Sequence, residues 1–441
     1  MPDTPRPATP IELTRRILQR HLADTGIQAR ESCPISPVIL DRRVHHRLQN
    51  AAMSLLKLLK RAALSAGDST QARLNAYGAT EQDYPLFSTD LHFEDSYSDV
   101  FARPDFVLTT SGPKVLEFNV SGAVGGIPEL ACLQAGLQAA YGRREAIRFK
   151  WSSPYDDRAR AFREIATRED LEGRVLVVGS VRDLEYTNST KVFDLEVEAL
   201  RRQGLVADFC EPEHLDDILE ATHGDSHAAF PLSLRMFTIP EWAELGIDLS
   251  TVRRWLDGGS LLLGPQTSAF LANKKTLAWL SEGLPWMTRQ DRETVAEFVP
   301  WSRCLADRNT TLLGGAEGAL LPFCLTHQEC LVLKEAIGMQ GRQVTIGREV
   351  SEAQWHDLVT TAAASGNSIV QAYVEPSLQQ VWMSHGAHDD QTELLKMRPI
   401  ISFFVFGGRP GSGWARFRPD DSYGVVSCEG FGAFETAIAP D

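Results

Sequence analysis

The sequence predicts a mixed α+β protein in which a βαβ unit is set between two regions built from hairpins and helices. Three stretches carry that prediction. RPDFVLTTSGPKVLEFNVSG, Arg103 to Gly122, reads as two apolar strands, FVLT and KVLEFNV, about a Ser-Gly-Pro turn. VLVVG, Val175 to Gly179, is a buried-type strand followed by a helix and a second strand, LVADFC, an order that implies a parallel sheet. From about Leu261 strands alternate with helices, and the region closes on a Gly-rich hairpin, RPIISFFVFGGRPGSGWARFRP.

In chain order, residues 1–10 are polar and Pro-rich and read as a loose tail. Apolar spacing is helical from Ile11 to about Leu22. A clearer helix runs from Val44 to Leu64, with Leu48, Ala52, Leu55, Leu59 and Ala63 on one face. His45 and His46 are adjacent, so they point to different faces and read as solvated or capping. Residues 1–94 thus form an N-terminal helical region. Residues 95–170 hold the first hairpin and the helix IPELACLQAGLQAAYG, which ends at Gly142 and buries Cys132 on its apolar face. Residues 171–260 form an α/β lobe, where Ser189 or Thr190 caps KVFDLEVEALRRQG and Gly204 stops it. Its turn, VLVVGSVRD, lacks the Gly-x-Gly-x-x-Gly pattern that lets a backbone approach a pyrophosphate, which argues against a nicotinamide cofactor. Within 261–441, ANKKTLAWLSEG starts a helix at Asn273 that ends at Gly283, and ECLVLKEAIG runs from a strand into a glycine loop. SEAQWHDLVTTAAASG opens on a capping box, Ser351 with Gln354, and NSIVQAYVEP is a strand.

The bulk numbers bound the function. The 441 residues are 43% hydrophobic and 23% charged, enough for a sizeable core. A formal charge of −14 repels nucleic acid and anionic membrane surfaces, while leaving room for a local basic pocket that takes a phosphorylated ligand. Cysteines at 33, 132, 210, 304, 324, 330 and 428 form no CxxC and read as the reduced thiols of a cytoplasmic protein. No signal-type apolar region opens the chain, and no apolar run nears the roughly 18 residues that span a bilayer. A homodimer is the expectation for a chain of this size and acidity.

Two clusters carry chemistry. In the first hairpin, residues two apart on a strand share a face, so Glu117 and Asn119 reach one site, and Arg103 and Asp105 join them from the paired strand. In the last third, Lys334 stands at a strand end just before Gly338-Met339-Gln340-Gly341. A glycine loop there can bend over phosphates and donate backbone N–H groups, and the lysine supplies a point charge. Asn273-Lys274-Lys275 brings further positive charge at a helix start, and IVQAYVEP carries a single amide, Gln371, in an apolar strand.

Together these residues resemble the nucleotide site of the ATP-grasp family, in which two α+β lobes clamp ATP. The resemblance implies that Lys274 and Lys334 are its two lysines and that Gly338, Gln340 and Gly341 belong to its phosphate loop. It gives Gln371, Ala372, Tyr373 and Val374 to the hinge that faces adenine. Ordinary members place their metal ligands after the hinge, but no acid pair with an Asn follows residue 375 in a strand context here. The matching set, Arg-x-Asp and then Glu-x-Asn, lies at the front. That order is similar to the circularly permuted branch represented by glutathionylspermidine synthetase-like carboxylate–amine ligases.

The implied fold is α+β, an ATP-grasp fold in circularly permuted order with an inserted βαβ substrate lobe like the one that precedes ordinary ATP-grasp domains. By this resemblance Asp105, Glu117 and Asn119 hold two Mg²⁺ ions, a role that suits hard oxygen donors. Arg103 balances charge on the γ-phosphate, and Arg416 in the last hairpin stabilises the intermediate. Ser121, Gly122 and Arg235 border the substrates. The implied reaction joins a carboxylate to an amine, amino acids or short peptides, in a peptide or γ-glutamyl bond through an acyl phosphate, with ATP as cofactor and ADP and phosphate released. A phosphotransferase on a small molecule and a nucleotide-binding protein without turnover are the alternatives.

The sequence also departs from the family. It has no room for an amidase domain. The segment Val120 to Gly126 replaces an Ala-Asp-Thr run, so glutathione and spermidine are not supported as substrates. Glu335 follows Lys334 where proline is frequent. His92-Phe93-Glu94-Asp95 and His385 with His388, Asp389 and Asp390 offer metal-type side chains but read as solvated turns.

Overall fold

The computed structural model describes residues 4–7, 9–27, 30, 32–149, 151–184, 189–338, 343–385, 392–418 and 432–441. Its central element is a six-stranded sheet in the order Val38–Leu40, Phe434–Pro440, Arg409–Phe417, Ile400–Phe406, Phe101–Thr109, Gly112–Val120. Neighbours run antiparallel except Val38–Leu40 and Phe434–Pro440, which run parallel. The first hairpin and the last hairpin of the sequence are therefore one sheet.

Alternation gives this sheet two different faces. One buries Phe106, Val115, Phe118, Ile401, Phe403, Ala415 and Phe417 against Leu48, Leu55 and Leu59 of the helix Arg42–Leu64. That helix is started by Asp41, whose carboxylate accepts from the N–H groups of Arg43 and Val44. The opposite face meets the helices Ile127–Phe149 and Pro154–Arg168 in a second core that includes Trp414 and Ala437.

A parallel sheet, ordered Val206–Cys210, Arg174–Val178, Leu232–Arg235, Leu261–Leu263, forms the α/β region. A third sheet, antiparallel, is ordered Val344–Ile346, Leu331–Glu335, Ser368–Ala372, Ser302–Cys304. The helix Glu352–Ser365 packs Trp355 and Val359 on it and opens on the Ser351–Gln354 capping box. Shorter sheets join Cys33–Pro34 to Gln379–Ser384 and Thr392–Met397, and Asn309–Thr311 to Glu317–Ala319.

Several local expectations change. The helix after the first hairpin stops at Gly142, as its sequence implies, but the chain does not leave helical structure there. Gly142, with φ 74° and ψ 169°, is non-helical and ends the first helix of the stretch Ile127–Phe149, and a second helix follows it directly. The helix Lys191–Arg202 has Thr190 at its N-cap position without a side-chain capping bond, its hydroxyl donating instead to Asp194 Oδ2 at 3.1 Å, while Ser189 Oγ accepts from the Lys191 N–H at 3.2 Å. The first hairpin is longer than its apolar core and includes Pro104, which sits where pairing to Ile400–Phe406 is interrupted between Ala102 and Asp105. His45 is not solvated: its ring stands edge-on to Phe403 at 4.9 Å, and burial, then His46, pushes its pKa down to about 4. No helix among the described residues is long and apolar enough to cross a membrane.

Candidate active site

Residues directly opposite on paired antiparallel strands lie on one face. Glu117 opposes Asp105, Asn119 opposes Arg103, Asp105 opposes Ser402, and Ser402 opposes Trp414. Arg416 is two residues from Trp414 on the same strand and opposes Glu435. The sheet thus carries a polar row, Glu117, Asn119, Arg103, Asp105, Ser402 and Arg416, back to back with its apolar face.

Asp105 is the centre of the row. Its Oδ1 accepts from Ser402 Oγ at 2.7 Å and Arg103 Nε at 3.3 Å. Its Oδ2 accepts from Arg416 Nη2 at 2.6 Å and Asn119 Nδ2 at 3.4 Å. Burial by itself would raise the carboxyl pKa, but Arg416 and then Arg103 outweigh it and hold the group at about 2. Both guanidiniums lie over the Trp414 ring, Arg103 at 5.1 Å and Arg416 at 4.7 Å. Arg103 Nη1 also donates to the Gly125 carbonyl at 2.6 Å. Gly126, with φ 94°, lies so close to this indole that a Cβ would come within 2.5 Å of it.

The lysines reach the row from elsewhere. Asn273 caps the helix Lys274–Glu282, and Lys274 Nζ stands 3.4 Å from Glu117 Oε2. Lys275 turns away and donates to the Tyr77 carbonyl at 2.8 Å and Asn367 Oδ1 at 3.2 Å. Lys334 donates to the Leu116 carbonyl at 3.0 Å and Gln371 Oε1 at 2.8 Å, and Gln371 Nε2 donates to Ser302 Oγ at 3.1 Å. Burial pushes Lys334 down to about 8; Lys274 adds to that, while Glu117 and Asp105 oppose it. Gln371 is therefore a support for Lys334 and sits in the strand Ser368–Ala372, whereas Tyr373 and Val374 lie beyond its end. The Tyr373 N–H donates to the Cys330 carbonyl at 2.8 Å, and Arg348 covers its ring at 3.9 Å. Gly338 follows the Leu331–Glu335 strand; Gln340 and Gly341 lie outside the described residues.

The α/β region touches the same hairpin. Gly122 packs so tightly that a Cβ there would come within 2.2 Å of the Arg235 carbonyl oxygen, and one on Gly264 within 2.4 Å of the Gly122 nitrogen. Ser121 Oγ accepts from the Ala123 N–H at 3.1 Å and shapes that turn. Arg235 is buried at the end of its strand, and burial pushes its pKa down to about 10, with Glu94 opposing. Its Nε donates to the Gly264 carbonyl at 2.7 Å; among the described residues its terminal amino groups have no acceptor.

Glu117 and Asn119 suit a Mg²⁺ ion. The Glu117 side chain is 30% exposed and has one cation at 3.4 Å. Asn119 uses its Nδ2, toward the Arg103 carbonyl at 3.2 Å and Asp105, which leaves its amide oxygen for a ligand. Two oxygen donors are what Mg²⁺ takes from a protein when phosphates and waters complete its shell. Among the described residues no group of three or more His, Cys, Asp or Glu could hold a metal, and the row itself pairs its acids with an amide. Glu94 is buried and accepts from the Ser88 and Thr267 N–H groups at 2.7 and 2.9 Å, and Asp95 takes both amino groups of Arg73. That stretch is structural, not a solvated turn. His388, Asp389 and Asp390 lie outside the described residues.

The sequence did not single out Ser402, Trp414 or Glu129. A lone hydroxyl inside the apolar run IISFFVF was the available signal for Ser402. Glu129 stands in the first turn of Ile127–Phe149; burial and then Glu435 push its pKa up to about 7, and its Oε2 has no hydrogen-bond partner among the described residues.

No protein-family model matches the chain, and no curated protein matches it. Among solved structures its fold is similar to a glutathione synthetase-like effector from Globodera pallida in its apo form. The TM-score is 0.54 over 98% of this chain and 97% of that one, at 11% sequence identity. At that identity the likeness speaks for the fold alone, a mixed α+β architecture.

Proposed function

We propose that this protein is a cytoplasmic ATP-dependent carboxylate–amine ligase with an ATP-grasp core in circularly permuted order. The observation that carries the reading is the convergence of Lys274 and Lys334, from two separate elements, on Glu117 and Leu116 of a hairpin that also bears Arg103, Asp105 and Asn119. The free thiols of the described cysteines fit a reducing compartment. Glu117 and Asn119 are the residues suited to hold Mg²⁺, which when bound supplies charge neutralisation at the β- and γ-phosphates.

Lys274 and Lys334 compensate the nucleotide phosphates, with Gly338, Gln340 and Gly341 as their covering loop and Gln371 to Val374 beside the base. Arg235, with Nε fixed and its amino groups unspent, is suited to bind a substrate carboxylate in bidentate fashion; Ser121 and Gly122 line the same turn. The reacting carboxylate attacks the γ-phosphorus, the bond to the β–γ bridging oxygen breaks, and ADP leaves. Arg103 and Arg416 stabilise the charge that spreads over the transferring phosphoryl. An amine then attacks the acyl carbon, the tetrahedral oxyanion collapses, and phosphate departs with its electron pair. No protein nucleophile is required. The substrates are amino acids or short peptides, and the product an ordinary or γ-glutamyl peptide.

The test is ADP release with ATP, Mg²⁺ and pooled amino acids, wild type beside Glu117→Ala. ADP release that needs both a carboxylate and an amine, and that Glu117→Ala abolishes, supports the ligase. Phosphate retained on the product identifies a phosphotransferase, nucleotide affinity without ADP a binding protein, and no nucleotide affinity overturns the reading.

A further inference from the structure

Of the three residues that the resemblance gives to Mg²⁺, Asp105 is bonded unlike the other two. A carboxylate offers about four lone-pair sites. Four protein donors, Ser402 Oγ, Arg103 Nε, Arg416 Nη2 and Asn119 Nδ2, occupy them at 2.7, 3.3, 2.6 and 3.4 Å, two on each oxygen. The residue is 4% exposed. A metal ion could bind Asp105 only by displacing a donor that has nowhere wetter to go. The two shorter contacts come from groups on the last hairpin, so the carboxylate also ties that hairpin to the first.

The two arginines explain why so buried a carboxylate is worth keeping. Arg103 and Arg416 share one indole, 5.1 and 4.7 Å from its ring, and so carry like charges side by side in a buried setting. Without a counter-charge between them, one would be driven out. Asp105 meets that need with one oxygen for each guanidinium, while Ser402 fixes the rotation of the carboxylate.

We propose that Asp105 is not a magnesium ligand but a positioning residue, whose carboxylate clamps the Arg103 and Arg416 guanidiniums side by side against the Trp414 ring, where their paired charge serves one anionic target. This rests on the ligase reading for the identity of that target, the transferring phosphoryl. Glu117 and Asn119 then constitute the protein's metal contacts. Asp105→Asn keeps the shape but replaces one acceptor oxygen by an amide donor, so an arginine loses its partner while no metal ligand is lost.

The experiment counts Mn²⁺ bound to the full chain in the presence of a non-hydrolysable ATP analogue, by electron paramagnetic resonance, and pairs it with the Mg²⁺ dependence of ADP release. Asp105→Asn should bind as much Mn²⁺ as wild type, with kcat down by about 10²-fold or more and the Mg²⁺ midpoint and KM for ATP unmoved. Glu117→Gln should weaken Mn²⁺ about tenfold or more and raise the Mg²⁺ midpoint. Loss of Mn²⁺ in Asp105→Asn, or a shifted Mg²⁺ midpoint, overturns the proposal and leaves the ligase reading intact. Wild type that binds neither Mn²⁺ nor the analogue overturns both. Should Asp105→Asn not fold, Ser402→Ala takes its place: lower kcat with unchanged Mn²⁺ is expected, and reduced Mn²⁺ again overturns the clamp.

Discussion

Ser402 and Phe403 are neighbours in one strand and belong to different machines. Phe403 faces the helix Arg42–Leu64 and is fully buried among aromatic and aliphatic side chains, with His45 edge-on to it. Ser402 faces the other way and holds Asp105. The strands around Asp105 repeat this division, because successive side chains on a strand alternate sides; farther along, the Ser402 side joins the second core through Phe404 and Phe406. One face is held by apolar area, which tolerates volume-conserving exchange; the other is held by directional bonds between charges, which does not.

That contrast can be broken from either side. The largest effect on stability should come from Phe403→Ala, which leaves a cavity and costs about 3–5 kcal/mol in denaturant unfolding, while the folded fraction keeps its nucleotide affinity. Loss of nucleotide affinity in folded Phe403→Ala would show that the faces are not independent. Ser402→Ala removes the 2.7 Å hydrogen bond to buried Asp105 and the longer one, 3.4 Å, from Arg416, and should cost about 1.5–3 kcal/mol, with a fall in ADP release out of proportion to that cost.

The next effect is a pH dependence. Lys334 is charged below pH of about 8 and loses its proton as pH rises through that value. Nucleotide affinity measured by calorimetry should therefore fall between pH 7 and about 9 in wild type, and stay flat in Lys334→Met. Stability moves the opposite way: the unfolded lysine keeps its proton up to about 10.5, so the cost of burying the charge is relieved as pH rises from about 8 to that value.

A second pH dependence concerns Glu129. Its folded pKa, about 7, lies above its ordinary 4.5, so the folded chain holds the proton more tightly and stability falls as pH rises from about 4.5 to 7. Glu129→Gln should flatten that slope in urea melts; an unchanged slope would assign it to another group.

The sequence made the polar row legible where period two alone decides it. Arg103 with Asp105, and Glu117 with Asn119, share a face by spacing within their strands, but it takes the register shift between Asp105 and Phe106 to set Glu117 opposite Asp105. Lys274 was ambiguous against Lys275, because adjacent positions at a helix start differ only in direction; the pairing with Glu117 is tertiary. Ser402 and Trp414 could not be matched to Asp105 without knowing that the first and last hairpins pair. Strands such as Cys33–Pro34, Ser302–Cys304 and Val344–Ile346 are too short to show a period, and exist because a longer neighbour offers them its edge. The contact of Gly122 with Arg235 was likewise out of reach, since a glycine needed for close approach looks the same as one needed for a turn.

The pairing of distant strands also sets a timetable. Ser402 and Asp105 are 297 residues apart, and Thr436 bonds to Ser36 across 400. A ribosome adding about 5–20 residues per second delivers Ile400–Phe406 roughly 15–60 s after Phe101–Thr109. Throughout that interval the first hairpin waits with one edge unpaired and its buried carboxylate uncompensated by Arg416. The nascent chain is in that period a candidate for wrong pairing with its neighbours, and the last hairpin to emerge both ends the risk and assembles the site.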